Sequence, residues 1–347
     1  MGLIGQCSLW EEQDEMEKAH WGVISTANIG LQKVIPGIQR SVNGRVAAIA
    51  SRDLNKAKLA AESLGIERAY GSYDELLADP DIEFIYNPLP NDQHVEVTLA
   101  AARAGKHVLC EKPIGMNTAD VARLSELPDN IRVMEAFMVR FHPQWLRCRD
   151  LLRSGAVGTP MAIQVTFSYF NDNPDNIRNK PENGGGALMD IGCYAIVAGR
   201  FCFESDPKRV IGLIDHDPKF GTDRLTSGLM DFSDGRQLTF TVSTQAVPYQ
   251  RIQILGTKGR LEIEIPFNAP QGAATKLFID DGFRLDGSAT RVERIPEADQ
   301  YAEQADTFVD AVRNGWELPY GIEDAMINMR IIDAVFHSTE SGTWQEP

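Results

Sequence analysis

The sequence predicts an α/β protein in two parts. A doubly wound parallel sheet spans residues 20–142, and an α+β domain with a large, mostly antiparallel, open-faced sheet spans 143–347. Three observations carry this reading. Strand-like and helix-like segments alternate from Trp21 to Met138. The strands among them are near-continuous apolar runs, as in a parallel sheet covered on both faces. Beyond Phe141 the alternation gives way to β-rich runs broken by turn residues.

In chain order, WGVIS (21–25) is the first strand, and TANIGLQKVIPGIQRS (26–41) has helical spacing after a turn. RVAAIAS (45–51) is a second strand, and LNKAKLAAESLG (54–65) is an amphipathic helix stopped by Gly65. IEFIYNPLP (82–90), HVEVTLAAARAGK (94–106), HVLCEKP (107–113) and IRVMEAFM (131–138) continue the alternation. A helix at PQWLRCRDLLRSG (143–155) leads into MAIQVTFSYF (161–170) and a Gly/Asn/Asp-rich stretch over 171–186. Strand-like runs follow at 209–216, 225–232, 237–246, 251–265 and 275–279. The SDGR between the second and third of these is a hairpin signal of the Asp-Gly type. Helices at 301–315 and 322–338 close the chain, and residues 1–19 read as an additional arm.

Composition narrows the function. A net charge of −15 excludes a nucleic-acid or anionic-membrane surface as the main partner, because such surfaces need clustered Lys and Arg. Five cysteines without CxxC or Cys/His spacing indicate neither a disulfide framework nor a zinc site, and they fit thiols in a reducing compartment. Six histidines without HxH or HExxH spacing give no reason to expect a metal. No apolar run approaches a membrane span, and the opening residues turn acidic without a basic n-region. The cytoplasm is the expected compartment.

The first strand–turn–helix is where a doubly wound fold cradles a dinucleotide. Here the expected glycine fingerprint falls on Ser25-Thr26-Ala27-Asn28-Ile29-Gly30, with only its third glycine present. Ser25 and Ala27 are small replacements that tolerate close backbone approach if φ stays negative. The helix N-terminus still offers N–H groups to a pyrophosphate. An ordinary βα turn is the alternative on these residues alone. At the end of the second strand stand Ser51 and Arg52, followed by Asp53. A guanidinium and a hydroxyl suit a 2′-phosphate, so NADP is expected over NAD. The plain alternative is that Arg52 covers a solvated strand end. Lys112 follows the strand HVLC at a carboxyl end, where ligands of such sheets sit, as does the NPLPNDQH segment over 87–94. A solvated surface lysine is the other reading of Lys112.

From Trp21 to about Thr343 the chain resembles the glucose–fructose oxidoreductase, inositol dehydrogenase and rhizopine-catabolism superfamily. WGVISTANIG, ASRDLNKA, NPLPNDQH, CEKPIGMN, MEAFMVRFHPQW and GGGALMDIGCYAI stand in the expected order. Within it, STA, SRD and DIGCY look like the branch of NADP-dependent aldose dehydrogenases, dihydrodiol dehydrogenases and aldose–aldose oxidoreductases. Tyr194 stands where inositol-type members carry histidine. The resemblance implies a Rossmann-type first domain, and it makes Lys112 the lysine of a Glu-Lys-Pro motif, with Glu111 beside it in the cofactor cleft. It makes Tyr194 the proton acceptor, with Asp190 one helical turn earlier orienting it or the substrate. A tyrosine titrates near ~10, and a neighbouring ammonium and the positively charged oxidised nicotinamide are both expected to lower that value. The cofactor turn is carried over to Ser25, Thr26, Ala27, Asn28 and Ile29, and the nicotinamide side to Asn87, Leu89, Asn91 and His94. His94 has a second reading as a helix cap. Arg140 and His142 fit structural hydrogen bonding at least as well as catalysis. Phe170, Asp172 and Arg178 are the substrate candidates.

The implied reaction is NADP-dependent oxidation of a pyranose C1 hydroxyl to a lactone. The NADP either dissociates or is retained and reoxidised by a second sugar. Dihydrodiol oxidation and a non-catalytic NADP-binding regulator are the alternatives. The resemblance also implies a homodimer or homotetramer formed through the second-domain sheet.

Overall fold

Short apolar runs such as Phe84–Asn87 and His107–Cys110 are buried on both faces, which only a covered parallel sheet provides. The computed structural model describes residues 17–347, so most of the 1–19 arm lies outside the described residues. Its first sheet has six parallel strands: β1 (Ala19–Ile24), β2 (Gly44–Ala50), β3 (Arg68–Tyr70), β4 (Phe84–Asn87), β5 (His107–Cys110) and β6 (Val133–Glu135). Their order is β3-β2-β1-β4-β5-β6. The order reverses between β1 and β4, which opens a crevice at their carboxyl ends. The helices of this half are α1 (Ile35–Arg40), α2 (Leu54–Leu64), α3 (Tyr73–Leu77), α4 (His94–Arg103) and α5 (Thr118–Ala122). A π-helical turn over Gly30–Val34 runs directly into α1. Gly65 stops α2 at φ 65°, as its place in the sequence predicts.

Helix α6 (Pro143–Arg153) crosses into the second half, where eight strands pair in the order β14-β13-β12-β11-β7-β10-β9-β8. They are β7 (Pro160–Phe170), β8 (Arg209–His216), β9 (Asp223–Asp231), β10 (Gln237–Ser243), β11 (Gln245–Gly256), β12 (Arg260–Ile263), β13 (Thr275–Asp280) and β14 (Arg291–Ile295). All neighbours run antiparallel except β7 and β10. The SDGR hairpin forms with positive φ at Asp234 (62°) and Gly235 (74°), the handedness a two-residue hairpin turn needs. One face of this sheet, with Ile163, Val165, Phe240 and Ile252, is buried with α6 and α7 (Cys193–Phe203). The other face leaves Leu213, Leu225, Val247 and Tyr249 exposed.

The closing helices are α8 (Gln300–Arg313) and α9 (Ile322–Ser341). α8 returns to the first sheet, where Phe308 meets Trp21 and Phe84 at ring separations of 6.0 and 5.4 Å. The periodicity of 301–315 predicts the helix but not this long-range partner. Among the described residues one helical stretch, Pro181–Phe203, is long and apolar enough to cross a membrane, and 89% of its apolar window is buried inside the protein. It is the core helix that delivers the site.

Candidate active site

A cleft of about 710 Å³ opens where the two halves meet. From the first half it is lined by Ala27, Asn28 and Ile29 after β1, Leu89 and Asn91 after β4, and Glu111 and Lys112 after β5. The second half contributes Tyr169, Arg178, Asp190 and Tyr194.

The turn after β1 departs from expectation. Ser25 takes φ 69°, in the left-handed region where glycine is at ease, rather than a negative φ. The strand must reverse there to start the helix, and the Ser25 hydroxyl helps by accepting the Ala27 N–H at 3.3 Å. Ser25 and Thr26 flank the cleft without lining it. The register pairs Ile24 with Ala50, so Ser51 and Arg52 follow at the neighbouring strand end. Asp53 is engaged elsewhere, because its carboxylate caps α2 by accepting the N–H groups of Asn55 and Lys56. Arg52 is exposed and has no ion-pair or hydrogen-bond partner among the described residues. The residues at this end fit a dinucleotide: helix-start N–H groups at the switch crevice, and a free guanidinium in place of an acid.

Of the predicted residues Asn87, His94 and His142, only His94 lines the cleft. Asn87 is fully buried, and its amide donates to the His94 carbonyl at 3.2 Å while its oxygen accepts the Leu89 N–H at 3.3 Å. It does not line the cleft, because β4 is covered on both faces. His94 neither caps α4 nor points freely at a ligand. Its Nδ1 lies 2.8 Å from the Pro113 carbonyl and its Nε2 2.6 Å from the Leu89 carbonyl, two acceptors that favour the protonated ring, and burial outweighs them and lowers its pKa. His142 caps α6 by accepting the Gln144 N–H at 3.0 Å. Asn91 donates to the Gly184 carbonyl at 3.1 Å, across the junction of the two halves.

Two substrate candidates fall away. Strand alternation along β7 turns Tyr169 into the cleft and sends its neighbour Phe170 outward, 61% exposed. Asp172 is exposed on the following loop and does not line the cleft. Arg178 is brought in as expected.

The centre of the site is Asp190. Its Oδ1 accepts from Lys112 Nζ at 3.1 Å, and its main-chain carbonyl accepts from the same ammonium at 2.6 Å. Its Oδ2 accepts the Tyr169 hydroxyl at 2.5 Å and Arg178 Nε at 2.9 Å. Burial opposes ionisation of Asp190, yet Arg178 and Lys112 overcome it and hold the carboxyl well below its ordinary range. Burial likewise works against the Lys112 charge, and Asp190 reverses the outcome. Lys112 is therefore an ammonium fixed at the carboxyl end of β5, preceding a cis Lys112–Pro113 peptide. Glu111 is held by the Tyr86 hydroxyl at 2.7 Å, and burial raises its pKa.

Tyr194 lines the cleft two residues beyond the π-helical turn Leu188–Gly192 that carries Asp190. Its ring is packed among Phe137, Phe167 and Phe267, and its hydroxyl meets only Met138 Sδ, at 3.7 Å. Lys112 Nζ lies 5.1 Å from the ring centroid, over the face and bound to Asp190. The ammonium does not lower the Tyr194 pKa against the burial of its ring. Burial, reinforced by Glu111 and Cys193, raises the phenol well above 10.

Sequence reasoning missed Tyr169 and two supports. The alternation of TFSYF signals Tyr169, since Phe167 and Tyr169 must share a face. Asp223 accepts the Leu188 N–H at 2.7 Å and the Thr226 hydroxyl at 2.6 Å, so it anchors the start of the segment bearing Asp190. Gly186 makes room for it at φ 119°, because a Cβ there would lie 1.8 Å from Asp223 Oδ1. Asp223→Ala orphans a buried N–H, a cost of about 1–3 kcal/mol. It should lower Tm and cut kcat/KM about tenfold, and Asp223→Asn should restore most of the loss.

Glu135 supports the other side, accepting Ile114 N–H at 2.9 Å just after the Glu-Lys-Pro turn and Asn328 Nδ2 at 3.1 Å from α9. Burial raises its pKa to about 7 against the pull of Arg140. The folded state thus binds a proton that the unfolded chain has released, and stability falls as pH rises from the ordinary glutamate range through about 7. Thermal unfolding across pH 5–8 should show Tm dropping by roughly 2–5 °C, and Glu135→Gln should flatten that slope.

Among the described residues no group of three or more His, Cys, Asp or Glu side chains is placed to hold a metal. Residues 19–137 match the oxidoreductase family with an NAD-binding Rossmann fold, and residues 145–262 match the GFO/IDH/MocA C-terminal domain. The chain is 37% identical to the D-xylose 1-dehydrogenase (NADP(+)) 2 of Haloferax volcanii, over 93% of this chain and 98% of that one. A 3-ketoreductase from Actinomadura kijaniata, solved with NADP and TDP-benzene, superposes with a TM-score of 0.86 at 28% identity, covering 92% of this chain and 98% of that one. The aldose–aldose oxidoreductase of Caulobacter crescentus, complexed with glycerol, superposes with a TM-score of 0.87 at 25% identity, covering 95% and 100%. An NAD-binding sheet followed by the family's own C-terminal domain, meeting at a Lys–Asp–Tyr cleft, places this chain in the GFO/IDH/MocA family of oxidoreductases.

Proposed function

We propose that the protein is an NADP-dependent aldose oxidoreductase that converts the C1 hydroxyl of a glucose- or xylose-type pyranose to a lactone. The observation that carries this is the placement of Lys112, Asp190 and Tyr194 in the same cleft as the turn after β1. When bound, NADP supplies the acceptor for the hydrogen and electron pair leaving C1. Arg52, free beside Ser51, suits its 2′-phosphate, and the xylose dehydrogenase and ketoreductase relatives are NADP proteins.

Lys112, kept charged by Asp190, offers a donor to the substrate oxygen and stabilises the negative charge that grows there. Tyr194 takes the hydroxyl proton. Tyr169 is committed to Asp190 and Asp190 is too weak a base, whereas the Tyr194 hydroxyl has no carboxylate partner among the described residues and its ring lies 5.1 Å from Lys112 Nζ. Its raised pKa makes it a strong base once ionised and a scarce one at neutral pH. Arg178 and Tyr169 fix Asp190, and Asp190 fixes Lys112.

Self-association through the exposed sheet face with Leu213, Val247 and Tyr249 suits a homodimer or homotetramer. The four described cysteines are free and buried, in keeping with a cytoplasmic setting.

The test is the near-ultraviolet absorbance of the purified protein with xylose or glucose, first without added cofactor and then with NADP. Steady reduction of added NADP supports a dehydrogenase. A stoichiometric rise without added cofactor, reversed by a second sugar, supports retained NADP and sugar-to-sugar transfer. Silence with aldoses and turnover of trans-dihydrodiols would replace the substrate class. Silence with both would leave a regulator.

A further inference from the structure

A second cavity of about 460 Å³ lies beside α7 and shares no lining residue with the active-site cleft. Its walls include Phe201 and Tyr320, and three arginines enter it: Arg140, Arg149 and Arg200. Three carboxylates line it too, but they are engaged. Asp324 pairs with both Arg140 and Arg200, the latter at 2.6 Å, and Asp206 pairs with Arg200 at 2.6 Å. Glu204 is held by Arg153, whose Nε lies 3.1 Å from both of its oxygens. Arg149 is left over. It rests on the Phe201 ring, 4.7 Å from the centroid, and has no carboxylate within 4 Å among the described residues. Buried Nε donors of both Arg149 and Arg140 lack any acceptor.

We propose that this cavity binds a small hydroxylated monocarboxylate, such as the open-chain acid of a sugar. A guanidinium with no carboxylate of its own within 4 Å asks for one negative charge, which a carboxylate meets as a planar partner for the Arg149 fork. A dianionic phosphate overshoots that charge. Ser205 and the outer oxygens of Glu204 and Asp206 accept from hydroxyls, which a plain aliphatic acid lacks. The source rests on the proposed reaction, because a lactone released into water hydrolyses to this class of acid. The cavity is also mechanically close to the chemistry. Arg140 lies 5.2 Å from the Phe137 ring centroid, and the Phe137 ring meets Tyr194 edge-on at 5.3 Å.

The test is isothermal titration calorimetry of the full-length protein with sodium gluconate at fixed ionic strength, without NADP or sugar. Inorganic phosphate, acetate and glucose serve as comparison probes. One equivalent of gluconate should bind to the parent and to Lys112→Ala alike, and Arg149→Gln should weaken it at least about tenfold. Arg149→Lys, which keeps the charge but not the fork, should fall between and covers the case in which the glutamine variant does not fold. Unchanged affinity in both Arg149 variants would overturn the proposal. So would loss of binding in Lys112→Ala, which would put the ligand in the active-site cleft, or phosphate or acetate binding as tightly as gluconate. Because no turnover is measured, failure to oxidise aldoses leaves this result intact, and an active enzyme that ignores gluconate removes only the second site.

Discussion

Replacing Lys112 by alanine should lower kcat by about 10³-fold while changing NADP affinity by less than tenfold. Removing one preorganised donor from a developing oxyanion typically costs 10²–10³ in rate. Lys112 is more than one donor, because its ammonium also holds the Asp190 main chain and carboxylate at 2.6 and 3.1 Å. The turn after β1 and Arg52, proposed to meet the cofactor's phosphate end, are both remote in sequence from Lys112, so binding should largely survive. Steady-state kinetics and a titration with reduced cofactor followed by fluorescence separate the two effects. Unchanged turnover would remove Lys112 from the chemistry.

Tyr194→Phe should be nearly as damaging, with a loss of about 10²–10⁴, while Tyr169→Phe should cost about tenfold. The two phenols are separated by their partners. Deleting the Tyr169 hydroxyl leaves Asp190 with Arg178 and Lys112, so the cluster stays charged and ordered. Deleting the Tyr194 hydroxyl removes the proposed proton acceptor itself. The pH profile adds a readout that a structural role would not move. Burial lifts the Tyr194 pKa well above 10, so the phenolate fraction grows about tenfold per pH unit through the neutral range. For aldose oxidation, kcat/KM should climb with pH without levelling near neutrality, and Tyr194→Phe should erase the climb. A plateau near pH 7 would show a base with a lowered pKa and reinstate the expectation drawn from sequence.

Much of the fold was legible because its signals are local. Apolar runs with helical interruptions give the first sheet, and Asp-Gly punctuation gives the β9–β10 hairpin. The return of α8 to the first sheet was not legible, since nothing in its periodicity names Trp21 and Phe84 as partners. The site divides along the same line. Lys112, Asp190 and Tyr194 sit where motif order implies, because a strand end and one helix deliver them, while Arg178 comes in on a short turn of the polar 169–179 stretch. Asn87 and His94 carry polar atoms in the right segment, but only the fold reveals that those atoms are satisfied by Leu89, Pro113 and each other's loops. Phe170 and Tyr169 differ by one position, and strand alternation puts the tyrosine, not the phenylalanine, in the cleft. The Ser25 backbone and the Tyr194 environment depend on three-dimensional packing that no spacing encodes.

The most direct test of the central claim uses D-xylose or D-glucose carrying deuterium at C1 with NADP. A primary isotope effect on kcat/KM in comparison with unlabelled sugar is expected, with deuterium recovered in the reduced nicotinamide and a lactone as product. Turnover that leaves the nicotinamide unlabelled would place the oxidation at another carbon and contradict the assignment.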